Sequence, residues 1–293
     1  MIKRTVEIST PGTHVGMREK QMVLYRDGQE IGCVPCEDVG ILISDEHQMT
    51  FTQAALVSAV ENGAAVIFCS RDHHPSGLLL PFAGNQLLTE RLQLQIEMKK
   101  PLVKRLWRQI VQVKLRRQAD RLPKDNRFRA RIHQLSKDVK LDDEENCEAQ
   151  AAKLYWPALF GPAFIRHREG PAPNNLLNYG YMTIRAAMAR AICGAGLHPA
   201  IGLHHHNRSN PFCLADDLME PFRPFVDARV IELWSGGSVE LRKEEKKSLL
   251  GVLTDDVVIA GKRGPLMVAL SKTVSSLVEC LAGNRENLDL PQP

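Results

Sequence analysis

The side chains best suited to metal chemistry are concentrated between residues 201 and 225. This stretch holds three consecutive histidines followed by three carboxylates: His204, His205, His206, Asp216, Asp217 and Glu220. Asp217 and Glu220 are three residues apart, so a helix would place both carboxylates on one face. Two carboxylates beside an imidazole form an oxygen-rich site, which suits Mg²⁺ or Mn²⁺ better than a structural zinc ion.

A third carboxylate, Glu148, lies in a run of mostly small residues, 147–152. Asp142 or Asp143 can cap a helix through this segment, and small neighbours allow close packing around Glu148. The residues by themselves leave blander interpretations open. Glu148 could be a surface glutamate, the histidines could form a polar loop, and Asp217 with Glu220 could form a solvated helix face.

A basic segment precedes these residues. Residues 91–131 contain 14 Lys or Arg and 3 Asp or Glu, a local balance of +11, whereas the whole chain has a formal charge of +4. Such an excess favours a polyanionic partner whose phosphates would be gripped without sequence readout. Lys104, Arg105 and Arg108 are our candidates for this contact. The alternative is an ordinary solvated helix face.

Seven scattered cysteines in a chain of 293 residues are typical of reduced, cytosolic thiols. Cys33 and Cys36 form a C-x-x-C pair, but no second pair supplies the two further ligands that a structural zinc site needs. We therefore expect no zinc site. The sequence contains no run of about 18 apolar residues and no secretory signal pattern, so we expect no membrane segment.

The elements that must position these groups differ between the two ends of the chain. The first 75 residues predict strands at residues 5–9, 22–31, 39–44 and 64–70, with a hairpin turn at Asp27-Gly28. One helix is expected between the last two strands. Thr50 and Gln53 form a capping-box pattern for it, and Asn62-Gly63 is its expected end.

From about residue 87 the apolar residues recur at helical spacing, and Pro101 is expected to kink or divide this segment. Further helices are expected around Glu148 and over residues 176–193. The sequence thus predicts an α+β protein. We expect a small N-terminal β-rich domain (1–75), an interdomain linker (76–86) and a larger all-α C-terminal domain (87–293).

Several ordered blocks resemble one known family, the CRISPR-associated endonuclease/integrase of spacer acquisition. They are Asn174-x-x-Leu177-Asn178-Tyr179-Gly180-Tyr181, Ile201-Gly202-Leu203-His204-His205, and Asp217-Leu218-Met219-Glu220-Pro221-Phe222-Arg223-Pro224 with Asp227. Glu148 with its helix resembles the family's first acidic helix, and residues 71–85 resemble its interdomain segment. The compact helical part resembles versions that accompany single-protein RNA-guided effectors.

The resemblance implies a β-rich N-terminal domain, a helical catalytic domain and a homodimer. Two such dimers would clasp a dimer of a small ferredoxin-like adaptation subunit, and this heterohexamer would hold a short double-stranded DNA. Its 3′-hydroxyl ends would be joined to a CRISPR repeat by transesterification in the presence of Mg²⁺ or Mn²⁺.

Carried over by position, the catalytic metal ligands are Glu148, His205 and Glu220, and Asp217 is a supporting carboxylate behind them. Many relatives have Asp at the position of Glu220. This chain therefore departs from the family in residue type but keeps a carboxylate there. Tyr179 and Tyr181 are candidates to contact or stack on DNA. Two other functions remain open: a metal-dependent nuclease in DNA repair, and a non-catalytic DNA-binding scaffold.

Overall fold

The computed structural model of the chain describes residues 3–71, 75–82 and 84–292. His73 and His74, which belong to the segment resembling the family's interdomain connection, lie outside the described residues. The N-terminal strands are β1 (Arg4–Ile8), β2 (His14–Arg18), β3 (Gln21–Arg26), β4 (Gln29–Pro35), β5 (Val39–Ser44), β6 (Thr50–Phe51), β7 (Ala65–Cys69) and β8 (Pro75–Leu79).

These strands form two four-stranded sheets. The first has the order β1-β5-β7-β8, with β1, β5 and β7 parallel and β8 antiparallel to β7. The second has the order β4-β3-β2-β6. The predicted hairpin between β3 and β4 is confirmed. Asp27 and Gly28 both have positive φ at its turn, as a tight hairpin of this kind requires.

Helix α1 (Gln53–Glu61) connects β6 to β7. Its cap is Thr52, whose hydroxyl accepts a hydrogen bond from the backbone N–H of Ala55. The expected cap, Thr50, instead lies in β6, so that prediction was wrong by two residues. The helix passes into its C-cap at Asn62, where the sequence predicted its end.

The first sheet is buried on both faces. Successive side chains of a strand point to opposite sides. Leu42 and Val66 accordingly pack into a small core with α1, whereas Ile41, Ile43 and Ile67 join the core of the helical region. Strand β8 occupies the beginning of the expected linker, because its backbone continues this sheet to Leu79.

The remaining elements are mostly helices, as predicted. They are α2 (Leu88–Ile96), α3 (Lys100–Arg121), α4 (Arg129–Asp138), α5 (Cys147–Phe160), α6 (Asn174–Gly194), α7 (Cys213–Met219), α8 (Arg223–Ser235), α9 (Lys243–Gly251) and α10 (Leu266–Leu281). The region is not all-α, because β9 (Asp256–Ile259) and β10 (Lys262–Pro265) form an antiparallel ribbon before α10. The chain is a mixed α+β protein.

Helix α3 is the central element of the helical region. It begins at Lys100, with Pro101 in its first turn, where a missing N–H costs no hydrogen bond. The helical segment is interrupted between α2 and α3, as the presence of Pro101 predicted. Helix α3 packs against α4, α5, α7, α8 and the 3₁₀ turn Glu220–Phe222. No helix in the described part of the chain is long and apolar enough to span a membrane.

Candidate active site

Glu148 lies in the first turn of α5, which begins directly after Asn146 in a left-handed conformation. The helix start is capped by Asp143, whose carboxylate oxygens accept hydrogen bonds from the N–H groups of Cys147 (2.9 Å) and Glu148 (3.0 Å). The structure therefore selects Asp143 of the two caps considered. This cap fixes the backbone of Glu148 and turns its side chain towards α3.

A lysine of α3 brings Glu148 and Glu220 together. The Lys114 ammonium forms an ion pair with Oε1 of Glu148 and lies 2.5 Å from Oε2 of Glu220. The side chains of Lys114 and Glu220 are 11% and 5% exposed. The second oxygen of Glu220 lies 3.0 Å from the Arg223 guanidinium. Two of the three predicted ligands thus share one buried cation.

The neighbouring charges decide the ionisation of Glu220. Burial alone would raise its pKa, but Arg223 and Lys114 outweigh burial and lower the pKa below the ordinary value. Burial would likewise lower the pKa of Lys114, but Glu220 and Glu148 raise it. Glu220 is therefore an ionised carboxylate held by cations at neutral pH.

His205 is held by Asp217, which lies buried in α7. The Asp217 carboxylate accepts hydrogen bonds from the backbone N–H groups of Leu203 (2.6 Å), His204 (2.9 Å) and His205 (3.3 Å). Its Oδ1 also lies 2.5 Å from Nδ1 of His205, and this hydrogen bond raises the pKa of the imidazole. Engagement of Nδ1 leaves Nε2 as the nitrogen that can face a metal or a substrate.

Gly202 allows this loop to close over Asp217. A Cβ at position 202 would lie 2.5 Å from the carbonyl oxygen of His205 and 2.9 Å from the Asp217 carboxylate. Any larger residue would push the loop off the carboxylate that organises it. The Gly-Leu-His-His block is thus a packing requirement as well as the source of the predicted ligand His205.

The other two histidines have different surroundings. The His204 ring stacks on Trp107 of α3, with centroids 4.2 Å apart and planes 2° apart. His206 is exposed. Neither His204 nor His206 takes the position against Asp217 that His205 occupies.

The donors of the cluster fit a hard divalent cation in their chemistry. Glu148 and Glu220 supply carboxylate oxygens, His205 supplies an imidazole nitrogen, and Oε2 of Glu220 is buried without a well-directed hydrogen bond. Across residues 3–71, 75–82 and 84–292, however, no three His, Cys, Asp or Glu side chains already lie at metal-binding spacing. The Lys114 ammonium contacts both carboxylates and occupies the volume between them.

The basic run on α3 is divided between surface and interior. Lys104 and Arg105 are partly exposed and lie 3.2 Å from Asp142 and 3.7 Å from Glu286. Arg108 is partly buried. Lys114 and Arg117 are buried, and Arg117 lies over the Phe225 ring. Part of the +11 balance therefore neutralises carboxylates and packs inside the protein.

The structure contradicts DNA stacking by Tyr179 and Tyr181. Their residues are only 2% and 7% exposed, so neither offers a free ring face to a base. The Tyr181 hydroxyl donates to Asp227, and so does the hydroxyl of Tyr155. These tyrosines belong to the core.

The sequence pattern missed a cavity next to the cluster. This cavity of about 580 Å³ is lined by residues of β7, β8, α6 and α7 and by four arginines: Arg166, Arg168, Arg185 and Arg223. Arg223 connects it to Glu220, and Arg185 forms a bidentate pair with Asp216 (2.6 and 2.9 Å). The arginines are dispersed in sequence, so no charge run revealed them.

Comparisons of the sequence with a family model and with known proteins indicate the same family. Residues 6–258 match the family model described as CRISPR associated protein Cas1. The chain is 35% identical over 287 residues to the CRISPR-associated endonuclease Cas1 of Neisseria meningitidis serogroup C, covering 96% of this chain and 93% of the relative. It is 26% identical over 247 residues to CRISPR-associated endonuclease Cas1 2 of Saccharolobus solfataricus, covering 80% and 76%.

Solved structures have the same fold. A casposase bound to integration product superposes with a TM-score of 0.79 at 20% identity, covering 98% of this chain and 92% of that one. A chain of a Cas6-RT-Cas1–Cas2 complex superposes with a TM-score of 0.75 at 18% identity, covering 97% of this chain and 35% of that one.

Proposed function

The chain belongs to the Cas1 family, and on that premise we propose that it is a metal-dependent DNA endonuclease and integrase. It inserts short DNA segments into a CRISPR array by transesterification. Their 3′-hydroxyl ends attack a phosphodiester of the array, a new phosphodiester forms, and the bond to the 3′-oxygen of the cut strand breaks. The observation that carries this proposal is the joint placement of Glu148 and Glu220 on one buried cation.

Glu148, Glu220 and Nε2 of His205 would hold Mg²⁺ or Mn²⁺. The bound cation would supply charge neutralisation for the phosphoryl oxygens and for the entering and leaving oxygens. Asp217 holds the imidazole orientation by its contact with Nδ1. Hydrogen-bonded carboxylates of this kind commonly orient metal-binding histidines.

The cationic residues around the cluster would hold the DNA backbone. Arg223 lies beside Glu220 and lines the cavity that contains the four arginines. Its guanidinium would contact a phosphate next to the reacting one. Lys104, Arg105 and Arg108 would add sequence-independent phosphate contacts. For Lys104 and Arg105, these contacts replace the present pairs with Asp142 and Glu286.

Two structural neighbours support the assembly that we propose. They are a Cas6-RT-Cas1–Cas2 complex and a casposase bound to integration product. For this chain we propose a homodimer that joins a small ferredoxin-like adaptation subunit in a heterohexamer holding double-stranded DNA.

Strand joining tests the function directly. The purified chain and its adaptation subunit are incubated with an end-labelled short duplex, a supercoiled plasmid carrying the repeat, and Mg²⁺ or Mn²⁺. We expect label joined to the plasmid, no product with EDTA, and no product when the duplex ends in a 3′-deoxy sugar.

Each alternative function has its own outcome in this assay. Metal-dependent cleavage without joining would support a repair nuclease. DNA binding without any strand chemistry in the complete assembly would support a scaffold, and either result would contradict the integrase proposal.

A further inference from the structure

We propose that Lys114 is a built-in counter-cation that holds Glu148 and Glu220 before a divalent cation binds and leaves them when it does. This inference rests on the proposed function, because it concerns the carboxylates that we assign as ligands. It assigns a role to Lys114, which lies within the basic segment 91–131 and outside the sequence blocks that resemble the family.

The position of the ammonium is the first argument. Lys114 lies 2.5 Å from Oε2 of Glu220 and also pairs with Oε1 of Glu148. Metal–oxygen distances for Mg²⁺ and Ca²⁺ are roughly 2.0–2.6 Å. An ion bound by both carboxylates would therefore need the volume that the ammonium fills, so the two cations compete for one place.

The burial of Glu220 is the second argument. Glu220 is 4% exposed, and an ionised carboxylate at such a position is strongly unfavourable without a partner. Lys114 supplies that partner for both glutamates, and Arg223 assists at Glu220. The two carboxylates are thereby held close together before metal binding.

The shape of the lysine side chain is the third argument. A lysine carries a compact charge on a flexible four-carbon stem, so its ammonium can move by several ångströms without moving the helix. An arginine guanidinium presents more donors in a planar fork and is less easily displaced. Lys114 is therefore suited to temporary occupancy of the site.

The consequence is reciprocal coupling between the ion pair and metal affinity. Any stabilisation that Lys114 gives to the unloaded site must be lost on loading, so it weakens metal binding. Removal of its charge should tighten the binding of a divalent cation by about tenfold or more, within the usual range of such coupling. The same removal should lower the melting temperature of the metal-free protein.

The test is a Mn²⁺ titration of the full chain, in which electron paramagnetic resonance and calorimetry measure the binding affinity. Lys114→Met removes the ammonium and keeps an unbranched chain. Lys104→Met removes an equal charge from the same helix, where the pair with Asp142 is partly exposed. We expect tighter Mn²⁺ binding for Lys114→Met, unchanged binding for Lys104→Met, and loss of the site in Glu220→Gln.

A second measurement needs no substitution. Amine acylation with mass-spectrometric readout reports how readily each lysine reacts. In the unmodified protein, Lys114 should be protected without metal and should react several-fold faster with saturating Mn²⁺, whereas Lys104 should react at the same rate in both states. This readout decides the question even if Lys114→Met folds poorly.

The outcomes separate this inference from the proposed function. A Glu220-dependent Mn²⁺ site whose affinity is unchanged or weakened in Lys114→Met, with Lys114 equally protected in both states, overturns the counter-cation role and leaves the proposed function intact. Absence of a Glu220-dependent Mn²⁺ site in both the unmodified protein and Lys114→Met overturns both proposals.

Discussion

Two buried carboxylates only seven residues apart have opposite electrostatic surroundings. Glu220 faces the cations Lys114 and Arg223, which lower its pKa despite burial. Asp227 faces two tyrosine hydroxyls, from Tyr155 and Tyr181, and burial raises its pKa to about 6. The comparison shows that burial alone does not decide whether a carboxylate is ionised. Neighbouring cations keep one carboxylate ionised, whereas the other retains its proton to higher pH.

The largest expected effect is at the ionised side of this comparison. Glu148→Gln, Glu220→Gln and His205→Ala should each reduce strand joining by about a thousandfold or more, because loss of a metal ligand can cost several kcal/mol of transition-state stabilisation. DNA binding should survive. His204→Ala and His206→Ala should have much smaller effects on joining, measured in the same plasmid assay.

The histidine series also tests our residue assignment. If His205→Ala joins strands at the unmodified rate while His204→Ala is inactive, the wrong imidazole has been chosen. If all three histidine variants are active, an imidazole ligand is not part of the site.

The next effect is at Asp227 and concerns stability. The folded chain keeps a proton on Asp227 up to about pH 6, whereas an unfolded aspartate loses it near pH 3.8. The folded state therefore binds more protons in this window, and stability should fall as pH rises through it. Relative to Asp227→Asn, the unmodified protein should lose roughly 2.4 kcal/mol between pH 4 and pH 7.

Urea unfolding at several pH values measures this difference. Stability curves of the unmodified protein and Asp227→Asn that remain parallel from pH 4 to pH 7 would show that Asp227 is ionised throughout. The contrast with Glu220 would then disappear.

A smaller effect is expected at the carboxylate behind the histidine. Asp217→Ala removes the acceptor of three backbone N–H groups and of the His205 ring. Loss of such supporting carboxylates typically weakens metal binding by about 10- to 100-fold. Calorimetry with Mn²⁺ should show this loss, and Asp216→Ala is the neighbouring control. Equal affinities for Asp217→Ala and the unmodified protein would remove Asp217 from the site.

The smallest effect is expected for the surface cations of α3. Lys104→Ala, Arg105→Ala and Arg108→Ala should each weaken duplex binding modestly and reduce the slope of log affinity against log salt by about 0.9 for each lost phosphate contact. A salt titration by fluorescence anisotropy measures the slope. A slope that is already flat in the unmodified protein would mean that these residues form only a solvated face.

The sequence was informative where chemistry and local geometry coincide. The Asp27-Gly28 hairpin, the helix break near Pro101 and the association of Asp217 with His205 all depend on short-range rules or on one ordered block. The position of Lys114 between the carboxylates was not predictable, because a lysine inside a basic run has the same local sequence pattern whether it faces solvent or carboxylates. Tertiary packing alone makes Lys104 partly exposed and Lys114 buried. Tertiary packing also buries Tyr179 and Tyr181.

Anomalous diffraction from crystals grown with Mn²⁺ tests the central claim most directly. The account predicts a manganese peak about 2 Å from oxygens of Glu148 and Glu220 and from Nε2 of His205, with the Lys114 ammonium moved away. A peak bound by other side chains, or no peak between Glu148 and Glu220 at saturating Mn²⁺, would contradict it.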